Sequence, residues 1–216
     1  MENIRLVTGN AYHVVTRSIA EYKIFNTEED FLRMMRAFYY YCRKGKKCSL
    51  SEFLKGKSYG ILEGFMPRKH SELLVEIIGF CIMPTHLHMI LRQLSDGGIS
   101  GYMQKVLDSY SRYFNIKYHR KGPLWDQKFK RILVSSEEQL IHLLRYVHLN
   151  PVTAYLVEQP EDWPASTYKE FINERLGQEK LDSIGSSMSP RQYRSFVEDY
   201  IPIQRSYAKM RNLLCD

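Results

Sequence analysis

Two apolar runs, "ELLVEIIGFCIM" (72–83) and "HLHMILRQL" (86–94), are separated only by Pro84 and Thr85. Each run has strand length and ends at a turn signal, and so short a break leaves room for little besides a close antiparallel pair. That pair commits the chain to a sheet, and the neighbouring segments read as additions to it. "NAYHVVTRSI" (10–19) is β-branched and roughly alternating, as a first strand should be, and "FKRILVSS" (129–136) reads as another. Between them come helix signals. Asn26 or Thr27 precedes Glu28, Glu29 and Asp30, whose charges suit a helix N-terminus, and Phe31, Met34, Met35, Phe38 and Tyr39 follow at helical spacing. A second helix is expected over 97–122, with Met103, Val106, Leu107, Tyr110 and Phe114 on one face. A third opens at Ser135–Ser136 ahead of Glu137 and Glu138 and should end or kink at Pro151.

The order strand, helix, strand, strand, helix, strand, helix predicts an α+β fold: an antiparallel sheet with helices packed on it. The order of strands in the sheet is beyond such a reading. Residues 43–70, rich in lysine and glycine, interrupt the pattern as a basic excursion with room for one short helix. Residues 177–190 are expected to form a loop, and the segment from 190 onward a helical, basic tail.

A chain of 216 residues supports one sizeable core with an appendage. The longest apolar runs fall well short of the ~20 residues a helix needs to cross a bilayer. The opening "MENIRLVTGNAYHVV" shows no basic-then-apolar leader pattern. Cys42, Cys48, Cys81 and Cys215 are scattered, which predicts reduced thiols and a cytoplasmic location. The net charge of +7 is compatible with a polyanionic partner without requiring one.

His86 and His88 are the first residues that ask for chemistry. On a strand they point to the same face, about 7 Å apart, while Leu87 points to the other. Two such imidazoles can converge on a divalent ion, although a His-x-His pair is more often a satisfied core or surface pair. Downstream, Tyr146 and Asn150 are four residues apart and share a helix face. Asn150 has a carbonyl oxygen to offer as a third ligand, and mixed nitrogen and oxygen ligation suits Mg²⁺ or Mn²⁺ better than a closed zinc site. Tyr146 would then be placed to attack a phosphodiester, forming a covalent phosphotyrosine. With 16 tyrosines in the chain, a core role is the alternative. His148 lies on another face of the same helix and is the weaker ligand candidate.

The blocks "AYHVVTRS", "FCIMPTHLHMIL", "GPLWDQKFKRILV" and "LLRYVHLNPVTAYLVEQPEDWPASTY" resemble those of the single-tyrosine HUH transposases, IS200-like proteins, and among them the REP-associated tyrosine transposases. The resemblance spans roughly residues 10–170. It implies a ferredoxin-like or RRM-like antiparallel sheet with helices packed on one face, here with the basic insertion at about 43–70 and a helical C-terminal tail. The catalytic domain would run over 1–175 and the tail over 176–216. It also implies a metal-dependent nuclease and strand transferase acting on single-stranded or hairpin DNA. His86 and His88 match the metal-binding histidines, Asn150 the helix ligand and Tyr146 the nucleophile that forms a 5′-phosphotyrosine. Thr85 stands where the family commonly has asparagine. Relatives work as monomers or as homodimers.

Candidate DNA contacts are Arg17, which shares strand parity with His13 and Val15, and the group Lys117, Arg120, Lys121, Lys128, Lys130 and Arg131 around Trp125. Cations beside aromatic rings suit a single strand, and a solvated charged face around core aromatics is the alternative. Lys44, Lys46, Lys47, Lys55, Lys57, Arg68 and Lys69 form a second basic group. Two other functions stay open at this stage: hairpin binding without turnover, and a metal phosphodiesterase that uses activated water.

Overall fold

The computed structural model describes residues 5–45, 48–55, 73–126 and 128–213. Most of the basic excursion, including Lys46, Lys47, Lys57, Arg68 and Lys69, lies outside the described residues. The short helix expected within it is α2, Leu50–Leu54, capped by Ser49 and Glu52.

The sheet has four strands: β1 (Ala11–Arg17), β2 (Val75–Ile82), β3 (His86–Gln93) and β4 (Lys130–Leu133), in the order β2-β3-β1-β4. β1 runs antiparallel to both β3 and β4. Contacts divide the described chain into two compact units. The first comprises residues up to Ile77 together with Pro84–Leu133; the second comprises Ile78–Met83 and the chain from Val134 onward. The region expected to be catalytic, 1–175, therefore draws on both. No described helix is long and apolar enough to cross a membrane.

In the first unit, α1 (Glu28–Tyr41) starts as its acidic cluster predicts. Thr27 Oγ1 accepts from the Asp30 amide while Asp30 Oδ2 accepts from the Thr27 amide. α3 (Gly98–Lys117) packs on α1 and against β3. Register places Tyr12, Val14, Leu87, Met89 and Leu91 on one face of the sheet, and all are buried. The other face carries His13, Val15, Arg17, His86, His88 and Ile90, joined by Lys130 and Ile132 of β4.

In the second unit, α4 (Glu137–Thr153) is capped by Ser136. It approaches residues 78–83 closely at Gly79, where an added Cβ would come within 2.6 Å of Leu144 Cδ2. Residues 163–167 run alongside the same stretch, with Phe80 and Thr167 exchanging backbone and hydroxyl bonds and the Trp163 indole donating to the Ile82 carbonyl. α5 (Tyr168–Ile172), α6 (Glu174–Ser183), α7 (Pro190–Glu198) and α8 (Ile201–Leu213) complete the unit. The expectation of a loop over 177–190 is corrected here. α6 occupies its first half because Asn173 caps the helix, Leu181 is fully buried and Lys180 pairs with Glu170 at 3.0 Å. Only 184–189 is non-helical before the Ser189 cap of α7.

Candidate active site

The paired histidines lie on the sheet face opposite Tyr12, Val14 and Leu87, and each is held by a defined neighbour. Thr85 Oγ1 is 3.0 Å from His86 Nδ1, and His13 Nε2 is 3.0 Å from His88 Nδ1. His13 stacks on His88 with ring centroids 5.2 Å apart, and the His86 and His88 rings meet edge to face at 5.1 Å. His13 reaches His88 because it sits one strand over and on the same face: Val15 pairs with His88, and His13 is two residues from Val15. Burial holds His13 and His86 down at about 4, the latter with help from the Arg17 charge. His88 lies well below the ordinary histidine value as well, by burial first and then through His13, His86 and Arg17, beside which a second positive charge is disfavoured. At neutral pH all three are uncharged imidazoles, the form that ligates a metal.

The Nδ1 contacts bear on whether this pair suits an ion. Metal-bound histidines almost always donate their second ring N–H to a carboxylate, carbonyl, hydroxyl or water partner. In the tautomers in which His86 Nδ1 donates to the Thr85 hydroxyl and His88 Nδ1 to His13, the nitrogen offered to a metal would be Nε2 on both rings. The donor set fits a divalent ion. Among the described residues no group of three His, Cys, Asp or Glu side chains is arranged for a metal, so a further ligand would have to be an amide or water. His13 and Thr85 were not singled out by sequence for this role. The signal was present, however: His13 shares Arg17's parity, and Thr85 directly precedes the motif.

The second unit holds Tyr146 and Asn150. Tyr146 is 40% exposed, unlike the core tyrosines Tyr102 and Tyr110. Asn150 has a local duty first. Pro151 lacks the N–H that would have bonded the Val147 carbonyl, and Asn150 Nδ2 donates there at 3.3 Å and to the Tyr146 carbonyl at 3.0 Å. This substitute bond lets α4 run past Pro151 to Thr153. Both residues line a cavity of about 360 Å³. His148 is fully buried on another face, with Nδ1 2.7 Å from the Tyr193 hydroxyl and Nε2 2.9 Å from the Thr167 hydroxyl.

Residues 51–150 match the family model described as "Transposase IS200 like", a span that contains His86, His88, Tyr146 and Asn150. A REP-associated tyrosine transposase of Escherichia coli K12 is 24% identical over 94 residues, 43% of this chain and 54% of that protein. A Haemophilus influenzae protein, provisionally described as a REP-associated tyrosine transposase, is 27% identical over 113 residues, 47% of this chain and 63% of its own length. Over these spans the chain is similar to the IS200-like transposases. Its matches cover less than two thirds of these curated relatives. A solved structure described as the REP-associated tyrosine transposase bound to a REP hairpin shares the fold, with a TM-score of 0.53 at 18% identity over 80% of this chain and 86% of that one.

The candidate DNA contacts separate into groups. Arg17, Lys128 and Lys130 line one cleft of about 190 Å³ with Val15, Thr16 and Asp126. Arg17 also pairs with Glu21 at 2.8 Å, with both side chains largely exposed. Lys121 is exposed, and Arg120 bonds Asn115 and the Gly122 carbonyl near the end of α3. Three residues are placed otherwise than a shared nucleic-acid face requires. Lys117 is engaged by Thr27, Glu29, Asp30 and Tyr113 at 2.9–3.0 Å, so its ammonium belongs to the α1 cap. The Trp125 indole is half-buried against Tyr110 and donates to the Leu107 carbonyl, a packing role. Arg131 pairs with Val14 and therefore leaves β4 on the face opposite Lys130. Of the second basic group, Lys44 and Lys55 are described, and both are exposed.

Proposed function

We propose that this protein is a metal-dependent endonuclease and strand transferase for hairpin-bearing single-stranded DNA, with Tyr146 as nucleophile. The observation that carries the reading is the arrangement of the histidine pair. Two neutral imidazoles, each tethered through Nδ1, stand on one sheet face within the span that also contains an exposed tyrosine and an asparagine four residues on. The names of the relatives add transposition and REP hairpins as the context.

In this reaction the Tyr146 oxygen attacks phosphorus and loses its proton to solvent. The P–O3′ bond breaks, and the departing oxygen takes up a proton to become a free 3′-OH. The product is a 5′-phosphotyrosine, and attack by a second strand's 3′-OH reverses the sequence to complete transfer. A divalent ion, Mg²⁺ or Mn²⁺, held by His86 Nε2, His88 Nε2 and Asn150 Oδ1, would supply charge neutralisation at the phosphate. Thr85 and His13 orient the imidazoles. Arg17, Lys128 and Lys130 offer charge to the phosphates of the strand, with Lys121 and Arg120 as further cations. The reaction requires the phenol and the imidazoles to act on one phosphate, whether from one chain or from two.

The test is a denaturing gel after incubation with hairpin-bearing single-stranded DNA and Mn²⁺. A covalent protein–DNA adduct that Tyr146→Phe abolishes is the expected result. Cleavage that persists in Tyr146→Phe without an adduct would assign the chemistry to activated water, and binding without cleavage would leave a recognition protein.

A further inference from the structure

The cavity beside Tyr146 has two walls of different origin. Arg145, Tyr146 and Asn150 come from α4, whereas Tyr200, Gln204 and Tyr207 come from α8 and the residue before it. The second wall lies beyond the span matched by the IS200-like family model. Among the described residues, no carboxylate lines it. The Arg145 guanidinium lies 3.6 Å from the Tyr200 ring centroid and 4.3 Å from that of Phe196, presenting a planar cation on an aromatic bed. Gln204 is only 8% exposed and is fixed by its Nε2 donating to Thr153 Oγ1 at 2.9 Å. Tyr207, by contrast, is 56% exposed. Aromatic faces, a flat guanidinium and a fixed amide are the groups with which proteins hold unstacked bases. The volume of about 360 Å³ suits a small-molecule-sized guest.

We propose that this cavity receives the nucleoside on the 3′ side of the cleaved phosphodiester, so that α8 selects the base at the cleavage site. The inference rests on the reaction proposed above. A 5′-phosphotyrosine ties that nucleoside through a single phosphate to Tyr146, a residue of the cavity wall, so its base cannot be far from the cavity. The rings of Tyr200 and Tyr207 offer stacking, and the Gln204 amide offers hydrogen bonding to a base edge.

The experiment uses the full chain, Mn²⁺ and a single-stranded library randomised beside a hairpin. Covalent adducts are recovered and their junctions sequenced. The wild type is expected to show a base preference at the first nucleotide 3′ of the junction. Tyr207→Ala and Gln204→Ala should flatten that preference at least fivefold while leaving preferences elsewhere unchanged. Tyr207 is exposed, so its variant tests the idea even if Gln204→Ala folds poorly. Equal preference in wild type and Tyr207→Ala, or none at that nucleotide in the wild type, overturns the proposal. So does a uniform rise in adduct yield without a change in base choice, which would make α8 a shield over Tyr146. Absence of any adduct with the wild type removes the proposed reaction itself, a failure distinct from the others.

Discussion

His88 and His148 are both buried, both neutral and both hydrogen-bonded, yet they differ in how their ring nitrogens are used. At His148, Nδ1 and Nε2 are both committed to hydroxyls, those of Tyr193 and Thr167, and the ring is surrounded by Tyr168, Phe171 and Tyr193. Burial pushes it down to about 3. At His88 the bond to His13 uses Nδ1, and His86 beside it uses Nδ1 for Thr85. Depressed basicity and burial therefore fail to separate a structural histidine from a proposed ligand. The named partners differ: two hydroxyls at His148, a second imidazole at His88. His148 joins α4 to α7 and to the segment beside residues 78–83, whereas His86 and His88 stand together on one sheet face as the pair proposed above to hold an ion.

The largest effects should break this comparison if it is wrong. His148→Ala takes the named partner from the buried Tyr193 hydroxyl, leaves Thr167 with only its Phe80 bonds and opens a cavity among aromatics, and is expected to cost about 3–4 kcal/mol in denaturant unfolding. Its Mn²⁺ affinity by titration calorimetry should be unchanged. His88→Ala should reverse the pattern, losing more than about 100-fold in Mn²⁺ affinity at a stability cost of about 1–2 kcal/mol. Loss of metal binding in His148→Ala with unchanged stability would falsify the assignment.

A smaller effect sharpens it. His13→Ala should weaken Mn²⁺ binding about 10- to 100-fold, and Thr85→Val towards the lower end of that range, because each removes the acceptor that sets a tautomer. His13→Gln retains an acceptor and should recover most of the affinity. If His13→Gln is no better than His13→Ala, the hydrogen bond is not what orients His88.

The smallest effects extend the contrast to lysines. Asp30 is fully buried, and burial alone would raise its pKa. Bonds from Lys117, Tyr118, the Asn26 amide and Tyr113 outweigh that and bring it down to about 2 from 3.8. The stability it contributes is therefore complete above the ordinary value and is lost as pH falls through about 2. Lys117→Met should cost about 1–2 kcal/mol at neutral pH and blunt this acid dependence in pH-titrated unfolding. Lys128→Ala, in the Arg17 cleft, should change stability by less than about 0.5 kcal/mol and lower the salt slope of DNA binding by about 1. Matching behaviour of the two variants would erase the distinction between a capping lysine and a phosphate contact.

Much of this architecture is legible along the chain. The strand pair around Pro84–Thr85, the acidic start of α1 and the Ser136 start of α4 are local signals, decided by alternation, capping and turn chemistry within a few residues. α6 escaped because its sequence, "ERLGQEKLDS", has few apolar positions, and what stabilises it is the burial of Leu181 and the Lys180–Glu170 pair. Trp125 and Lys117 resembled nucleic-acid contacts because composition cannot report that an indole N–H or an ammonium is already taken.

Sequence alone determined that His86 and His88 share a face, and that Tyr146 and Asn150 share another, since strand and helix periods are properties of the backbone. Tertiary structure decided which nitrogen each imidazole spends, because His13 comes within 3.0 Å of His88 only once β1 pairs with β3 in this register. It also decided that α8 walls the cavity beside Tyr146, through packing between segments some fifty residues apart. Periodicity is written locally, whereas partnership depends on which distant atoms the fold brings within hydrogen-bonding distance.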